Sequence, residues 1–390
     1  MMNLIKRILY IFLLVNCFFS FAYADNFKII EENAKGKKVY LHAWGGSPQV
    51  NNYLVWVKDK IKKNHDIDLI HIKLNDTSDA IDQILAEKMS GNIDNGSVDL
   101  VWVNGENFSF MKNNNLLQTK SWVKSLPSFR FTDADKMPGI LVDFGIKTDG
   151  LEAPWGKSQL VFGYNENVVK QYPVNSKELL IWIKENPNRF TYPKPPDFTG
   201  TTFLKQILLE NSLDTSLFYL PPDMNNYKKL LNPLWEWLDV AHPFLWREGK
   251  NFPINHSKLT QLLGDKEIFI SFSLNPGEFV NGISNGVLPK SIKTYIHENG
   301  TISNFHFVAI PFNSNSTNAA KVVANFLMSP EAQLKKSDPN VWGDLMVIST
   351  NKLNNKSSIN NTLNFNKSLQ EPHPDWVPLL EKEWKKRYQN

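Results

Sequence analysis

Cysteine is all but absent from this chain. One of its 390 residues is cysteine, Cys17, so neither a disulfide framework nor a thiolate metal site holds the fold together, and the core has to come from apolar burial. Long apolar runs are missing too: the stretch Ile8–Val15 is too short for a comfortable membrane span. No internal repeat recurs. Neither sign of charge dominates, with 43 Lys and Arg against 39 Asp and Glu, and the clusters 35–38, 60–63 and 382–387 are interrupted by acidic or apolar residues. They read as solvated faces, and nothing in the balance points to nucleic acid. The motifs of common hydrolases and nucleotide enzymes are lacking: no HExxH, no GxSxG, no Walker loop, no paired histidines. The eight histidines are scattered singly, and His42, on a strand beside Trp44, reads as a hydrogen-bonded structural residue. The chain is therefore read as a non-enzyme without cofactor or metal, with a secreted hydrolase as the minor alternative.

What is present begins with a leader. Lys6-Arg7, the run Ile8–Val15, Phe18-Phe19 and Ala22-Tyr23-Ala24 form a charged region, a short apolar region and an A-x-A site, which predicts cleavage after Ala24 and soluble export. Asn16, before Cys17, departs from the small residue that a lipid-attachment motif wants. The 390 residues less the 24 of the leader leave 366, more than one core usually serves, so two lobes are expected.

The mature chain then alternates strands and helices. Residues 37–45 read as a strand ending at Gly45-Gly46-Ser47-Pro48; Tyr53, Leu54, Trp56, Val57 and Ile61 recur at helical spacing, and Ile67–Leu74 alternates again, a βαβ unit. A helix over 79–89 precedes the strand 96–103, which stops at Asn104-Gly105-Glu106-Asn107. The stretch Ala153–Asn165 reads as a strand passing from one lobe to a second. Beyond it come a short strand at 189–192, a proline-fixed loop to Thr199-Gly200-Thr201-Thr202, and a strand over 267–273 ending at Leu274–Glu278. Residues 303–311 read as the returning strand, 351–369 as a polar loop, and 376–388 as an outer amphipathic helix.

Strands that stop at polar, glycine-containing turns before helices are where parallel sheets collect ligands. The candidates are Trp44, Gly45, Gly46 and Ser47; Asn104, Gly105, Glu106 and Asn107; Trp155 and Tyr164 along the crossover; Thr199, Gly200, Thr201 and Thr202; Asn275 and Glu278; and Trp342 on the C-terminal segment. Aromatic faces, amides and carboxylates together suit a flat cationic heteroaromatic or a polyamine. The helix starts at 46–48 and 199–202 suit an anion or phosphoester instead. The candidates also have ordinary readings: the Gly-Gly-Ser turn as a plain tight turn with Pro48 at the first helical turn, one of the threonines as a cap, Glu106 as a carboxylate favouring its helix dipole, and the stretch of Trp155 as an ordinary buried strand. Trp56, Trp182, Trp235 and Trp237, at helical spacing among apolar neighbours, read as packing.

The residues Ala-Trp-Gly-Gly at 43–46, Ala-Pro-Trp-Gly to Gly-Tyr-Asn at 153–165, Tyr-Pro-Lys-Pro-Pro-Asp-Phe-Thr-Gly-Thr at 192–201 and Val-Ala-Ile-Pro to Ala-Asn-Phe-Leu-Met-Ser-Pro-Glu-Ala-Gln at 308–333 resemble a bacterial ABC-transporter substrate-binding protein, most nearly the thiamine-type YnjB group. The resemblance implies an α/β, two-lobed periplasmic binding protein fold of type II, each lobe a mixed sheet flanked by helices. It places lobe 1 at 25–158 and 312–390, lobe 2 at 159–311, and crossings near 158–165 and 303–312. It further implies a periplasmic monomer that captures a small solute, thiamine or a related cation, and delivers it to a membrane permease driven by a cytoplasmic ATPase.

Overall fold

The computed structural model describes residues 27–352 and 367–389; the leader, its Ala24 site, Cys17 and most of the stretch 351–369 lie outside them. The strand Lys38–Trp44 buries Val39, Leu41 and Ala43, and pairs in parallel with Asp68–Leu74 on one side and Leu100–Val103 on the other. Between the first two runs the helix Pro48–His65. Ser47 caps it, Pro48 opens it, and Lys62, Lys63 and His65 lie in its last turn, where cations favour the helix dipole. Val50, Tyr53, Leu54, Val57 and Ile61 form its buried stripe.

The sheet is completed by two antiparallel strands. Thr301–Ala309 pairs with Leu100–Val103 and, on its other edge, with Glu152–Gln159. The short strand Ser368–Leu369 adds in parallel to Thr301 and Ile302. A second sheet has Val161–Asn165 at its centre, flanked by Ile270–Ser273 and Ile292–Tyr295, and is antiparallel throughout rather than mixed. The stretch 153–165 thus serves both sheets: Glu152–Gln159 belongs to the first, Val161–Asn165 to the second, and Leu160 between them is fully buried.

Two large cores follow. One gathers Val39, Leu41, Tyr53, Trp155, Val323 and Trp342; the other gathers Phe162, Phe203, Trp237, Phe272, Leu380 and Trp384. The last helix, Trp376–Tyr388, therefore lies on the second lobe, where Trp384 Nε1 donates to Tyr192 Oη at 2.7 Å and Tyr388 Oη to Asp239 at 2.6 Å. The expectation that the whole C-terminal segment closes on the first lobe is corrected for this helix. Its apolar face fits the second core, whereas Met346–Ile348, upstream, pack on Ile140 of the first lobe. Residues 189–192 form no strand. Phe190 and Tyr192 are buried there, and the backbone bonds of that run go to Phe269 and Trp246.

Candidate functional site

Trp44, Leu74 and Val103 end adjacent parallel strands, so the turns at 45–47, 75–76 and 104–107 open along one rim of the first lobe. The second lobe meets that rim. Ser257 Oγ donates to Gly46 O at 3.1 Å, and Asn281 Nδ2 donates to Trp342 O at 2.6 Å. Gly277 approaches the same turn so closely that a Cβ on it would lie 2.6 Å from Trp342 O. A third contact is made by the hairpin formed by Val142–Asp143 and Ile146–Lys147, whose tip residue Phe144 places its ring 4.7 Å from Lys205 Nζ of the second lobe.

Carboxylates converge on this junction. Glu106 starts the helix Glu106–Asn113, and its Oε2 is sealed from solvent without a partner. Burial pushes its carboxyl up to about 7, against the pull of Lys205, with Glu381 and Glu371 adding to the rise. Asp143, fully buried, accepts Gly105 N–H at 2.6 Å, and burial drives its carboxyl far up. Glu371 forms a buried ion pair with Lys205 at 2.6 Å, and Glu381 accepts from Thr201 Oγ1 at 2.8 Å. On the other side, Glu278 lies 3.5 Å from His256. Burial opposes its ionisation, but His256 and Thr260 outweigh that and hold its carboxyl below the usual range.

The candidate residues are not all brought together. Trp44 and Glu106 are half-buried on the rim with Asn104 and Asn107, and Gly45 and Gly46 form its turn. Ser47 is spent as a cap, accepting from Val50 N–H. Trp155 and Trp342 are 1% and 3% exposed and are corrected from ligand walls to core: both rings lie against the buried ammonium of Lys336, which pairs with Asp344 at 2.6 Å, and Asp344 also meets His306 at 2.9 Å. Tyr164 packs on Tyr172 and Tyr295, near the end of its strand that is farther from the crossover, and is partly buried against the second core. Thr199 and Thr202 are buried, Thr202 Oγ1 bonding back to Phe198 O. Asp197 already occupies the helix start, accepting Gly200 N–H at 3.0 Å, so a carboxylate stands where an anion was to bind. Asn275 is engaged with Gly277 N–H and Trp342 O.

Sequence reasoning missed Trp102, Lys205, Glu371 and Glu381. Trp102 is the half-open member of the aromatic cluster, edge-on to Trp155 at 4.8 Å. It lay in the strand read over 96–103, and the signal was its place two residues before Asn104. The other three carried none, since their partners are distant in the chain. A separate cavity of about 370 Å³ on the second lobe, lined by Ser176, Glu210, Tyr219 and Glu298 among others, lies away from this junction; its Glu210 is committed to His297 at 2.6 Å and to Ser176 N–H. No metal-holding group of His, Cys, Asp and Glu occurs among the described residues.

Comparison with known proteins bears on the family and the fold. Residues 56–354 match the family of bacterial extracellular solute-binding proteins. The chain is 42% identical to protein YnjB of Escherichia coli strain K12, over 96% of this chain and 97% of that one. Among solved structures, the periplasmic binding protein AfuA from Actinobacillus pleuropneumoniae, with fructose-6-phosphate bound, superposes with a TM-score of 0.66 at 13% identity, covering 90% of this chain and 99% of AfuA. The spermidine/putrescine ABC transporter substrate-binding protein PotD from Streptococcus pneumoniae does so with 0.61 at 14%, covering 90% and 99%. At such identities the structural likeness is one of fold, the two-lobed type II architecture.

Proposed function

Since the chain belongs to the family of bacterial extracellular solute-binding proteins, we propose that it is the periplasmic component of an ABC importer and that its cleft takes a small organic cation, thiamine or a related heteroaromatic. Delivery is to a membrane permease with its ATPase, after export by the leader at 1–24.

One observation carries the choice of a cation. Glu106 faces the lobe junction with a buried oxygen that has no partner, a condition costing about 1–3 kcal/mol, and a cationic donor would supply that partner. Trp44 and Trp102, half-buried on neighbouring strands that end at this rim, offer indole faces, each contributing about 0.5–2 kcal/mol to a cation. The anionic alternative is disfavoured by the caps: Ser47 and Asp197 already satisfy the helix starts that a phosphate would need. A polyamine uses the same inventory and is the second reading. The test is a thermal-shift series with thiamine, spermidine and a sugar phosphate, where a ligand at about 100 times its Kd adds about 2.7 kcal/mol, followed by calorimetry on Glu106→Gln. Thiamine or spermidine should stabilise the protein and lose affinity in the variant. Stabilisation by the sugar phosphate alone, or cation binding undisturbed in Glu106→Gln, would overturn the reading.

A further inference from the structure

Lys205 is a lysine withdrawn from water. It leaves the helix Phe198–Asn211 of the second lobe, is 1% exposed, and holds its ammonium 2.6 Å from Glu371 Oε2, between the rings of Phe144 at 4.7 Å and Phe198 at 5.5 Å. A buried ammonium is costly unless paired and surrounded in this way. One of its neighbours belongs to the other lobe. Phe144 has φ +42° at the hairpin tip, a backbone region that bulky residues avoid. Its ring stands so close to Gly105 that a Cβ there would lie 2.4 Å from it. With Asp143 accepting Gly105 N–H, the hairpin ties Lys205 to the residue preceding Glu106.

The groups acting on Glu106 come from every element around it: Lys205 from its helix, Glu381 from the C-terminal helix and Glu371 from the segment before it. Asp143, on the hairpin, feels Glu106, Glu371 and Lys205 in turn. Lys205 is the one cation in this set.

We propose that Lys205 is a positioning residue for solute capture: anchored on the second lobe, it sets across the lobe boundary the charge that Glu106 presents to a cationic solute. The inference rests on the cation reading above. Parting the lobes carries Lys205 away and returns Glu106 to water, where it ionises readily. Closing them buries Glu106, which alone would leave it protonated and of no use to a cation, and brings up the lysine that opposes this. The lysine thus holds the carboxylate nearer its charged form in the closed state than burial, Glu371 and Glu381 alone would leave it, and contacts made preferentially in that state shift the equilibrium toward it.

The charge is measurable without any solute. In protein carrying 13C-labelled glutamate carboxyls, with the Glu106 signal identified by its loss in Glu106→Gln, the ligand-free wild type should titrate with a midpoint of about 7. Lys205→Met should raise that midpoint by about one unit or more, which cuts the charged fraction at neutral pH from about one half to about one tenth and thiamine affinity by about fivefold or more, and Lys205→Arg should restore it. If Lys205→Met fails to fold, Lys205→Met/Glu371→Gln leaves no buried charge unpaired and should still titrate higher, because the lysine acts on Glu106 more strongly than Glu371 does. A midpoint unmoved in a folded variant, or a wild-type midpoint in the ordinary carboxylate range, overturns the proposal. Should the midpoint move as expected while neither thiamine nor spermidine binds the wild type, the cation reading falls and the coupling of Lys205 to Glu106 stands.

Discussion

Two tryptophans that sit edge to face, Trp102 and Trp155, carry different burdens. Trp155 is enclosed by Trp102, Trp342 and Lys336, so Trp155→Ala empties a packed site and is expected to cost about 3–5 kcal/mol of stability, read as a lowered melting temperature. Trp102→Ala removes a half-open face. It should weaken solute binding several-fold in calorimetry while costing less stability than Trp155→Ala. Glu106 makes a further prediction about pH. Its carboxyl is raised from 4.5 to about 7 in the folded protein, so between those values the folded state keeps a proton that the unfolded chain has released. Folded stability should therefore fall as pH rises across that window, and urea midpoints should show a slope that Glu106→Gln flattens. At this scale the sequence was legible in part. Trp44 and Glu106 could be placed on a rim by counting to the ends of strands, but the direction of a side chain within a sheet is fixed by which face the rest of the chain covers. Trp155 looked available until Lys336 and Trp342, far along the chain, came to lie against it. Lys205 looked like any helical lysine until Glu371 supplied its counter-charge.

Among the elements, periodicity was the reliable guide. Lys38–Trp44 and Ser78–Met89 lie within a residue of where alternation and helical spacing put them, and the helix Pro48–His65 contains the periodic positions 53–61 and runs a turn beyond them at each end. The run 189–192 was misjudged because it has strand composition but builds no ladder: it shares the bond from Phe269 N–H to Arg189 O, and Phe190 O turns instead to Trp246 N–H. The turn at Trp342–Gly343 and the helix start at Gly277 show what neither periodicity nor composition contains: two backbones pressed together across a lobe boundary, with a Cβ on Gly343 falling 2.8 Å from Gly277 Cα. Gly277→Ala should hold the lobes apart without unfolding either. The expected result is a larger radius of gyration in solution scattering with solute present and a weaker affinity, at a nearly unchanged melting temperature. An affinity equal to the parent's would mean that the turn yields.

The whole molecule is two cores stitched by more than two crossings. The chain passes between lobes at Leu160 and again along Thr301–Ala309, and after Ile348 it returns to the hinge at Ser368–Leu369 before docking its final helix on the second lobe. Size and the crossover motif made two lobes legible from composition alone. The third passage was not, because an amphipathic helix at a chain end declares that it needs a partner without saying which. Truncation after Asp375 would strip Trp376, Leu380 and Trp384 from the second core, exposing Tyr192 and Phe218. Calorimetric melting should then resolve an early transition of the second lobe below that of the first.

That last helix also bears on how the protein comes into being. Synthesis delivers the N-terminal half first, yet the second core waits for residues 376–384 and the first core for 319–342. Neither lobe can finish before its own late segment has been made. A polypeptide built this way stays loose until those segments arrive, the condition in which a chain can still be threaded through a narrow channel, and its second lobe locks only when the helix Trp376–Tyr388 falls into place.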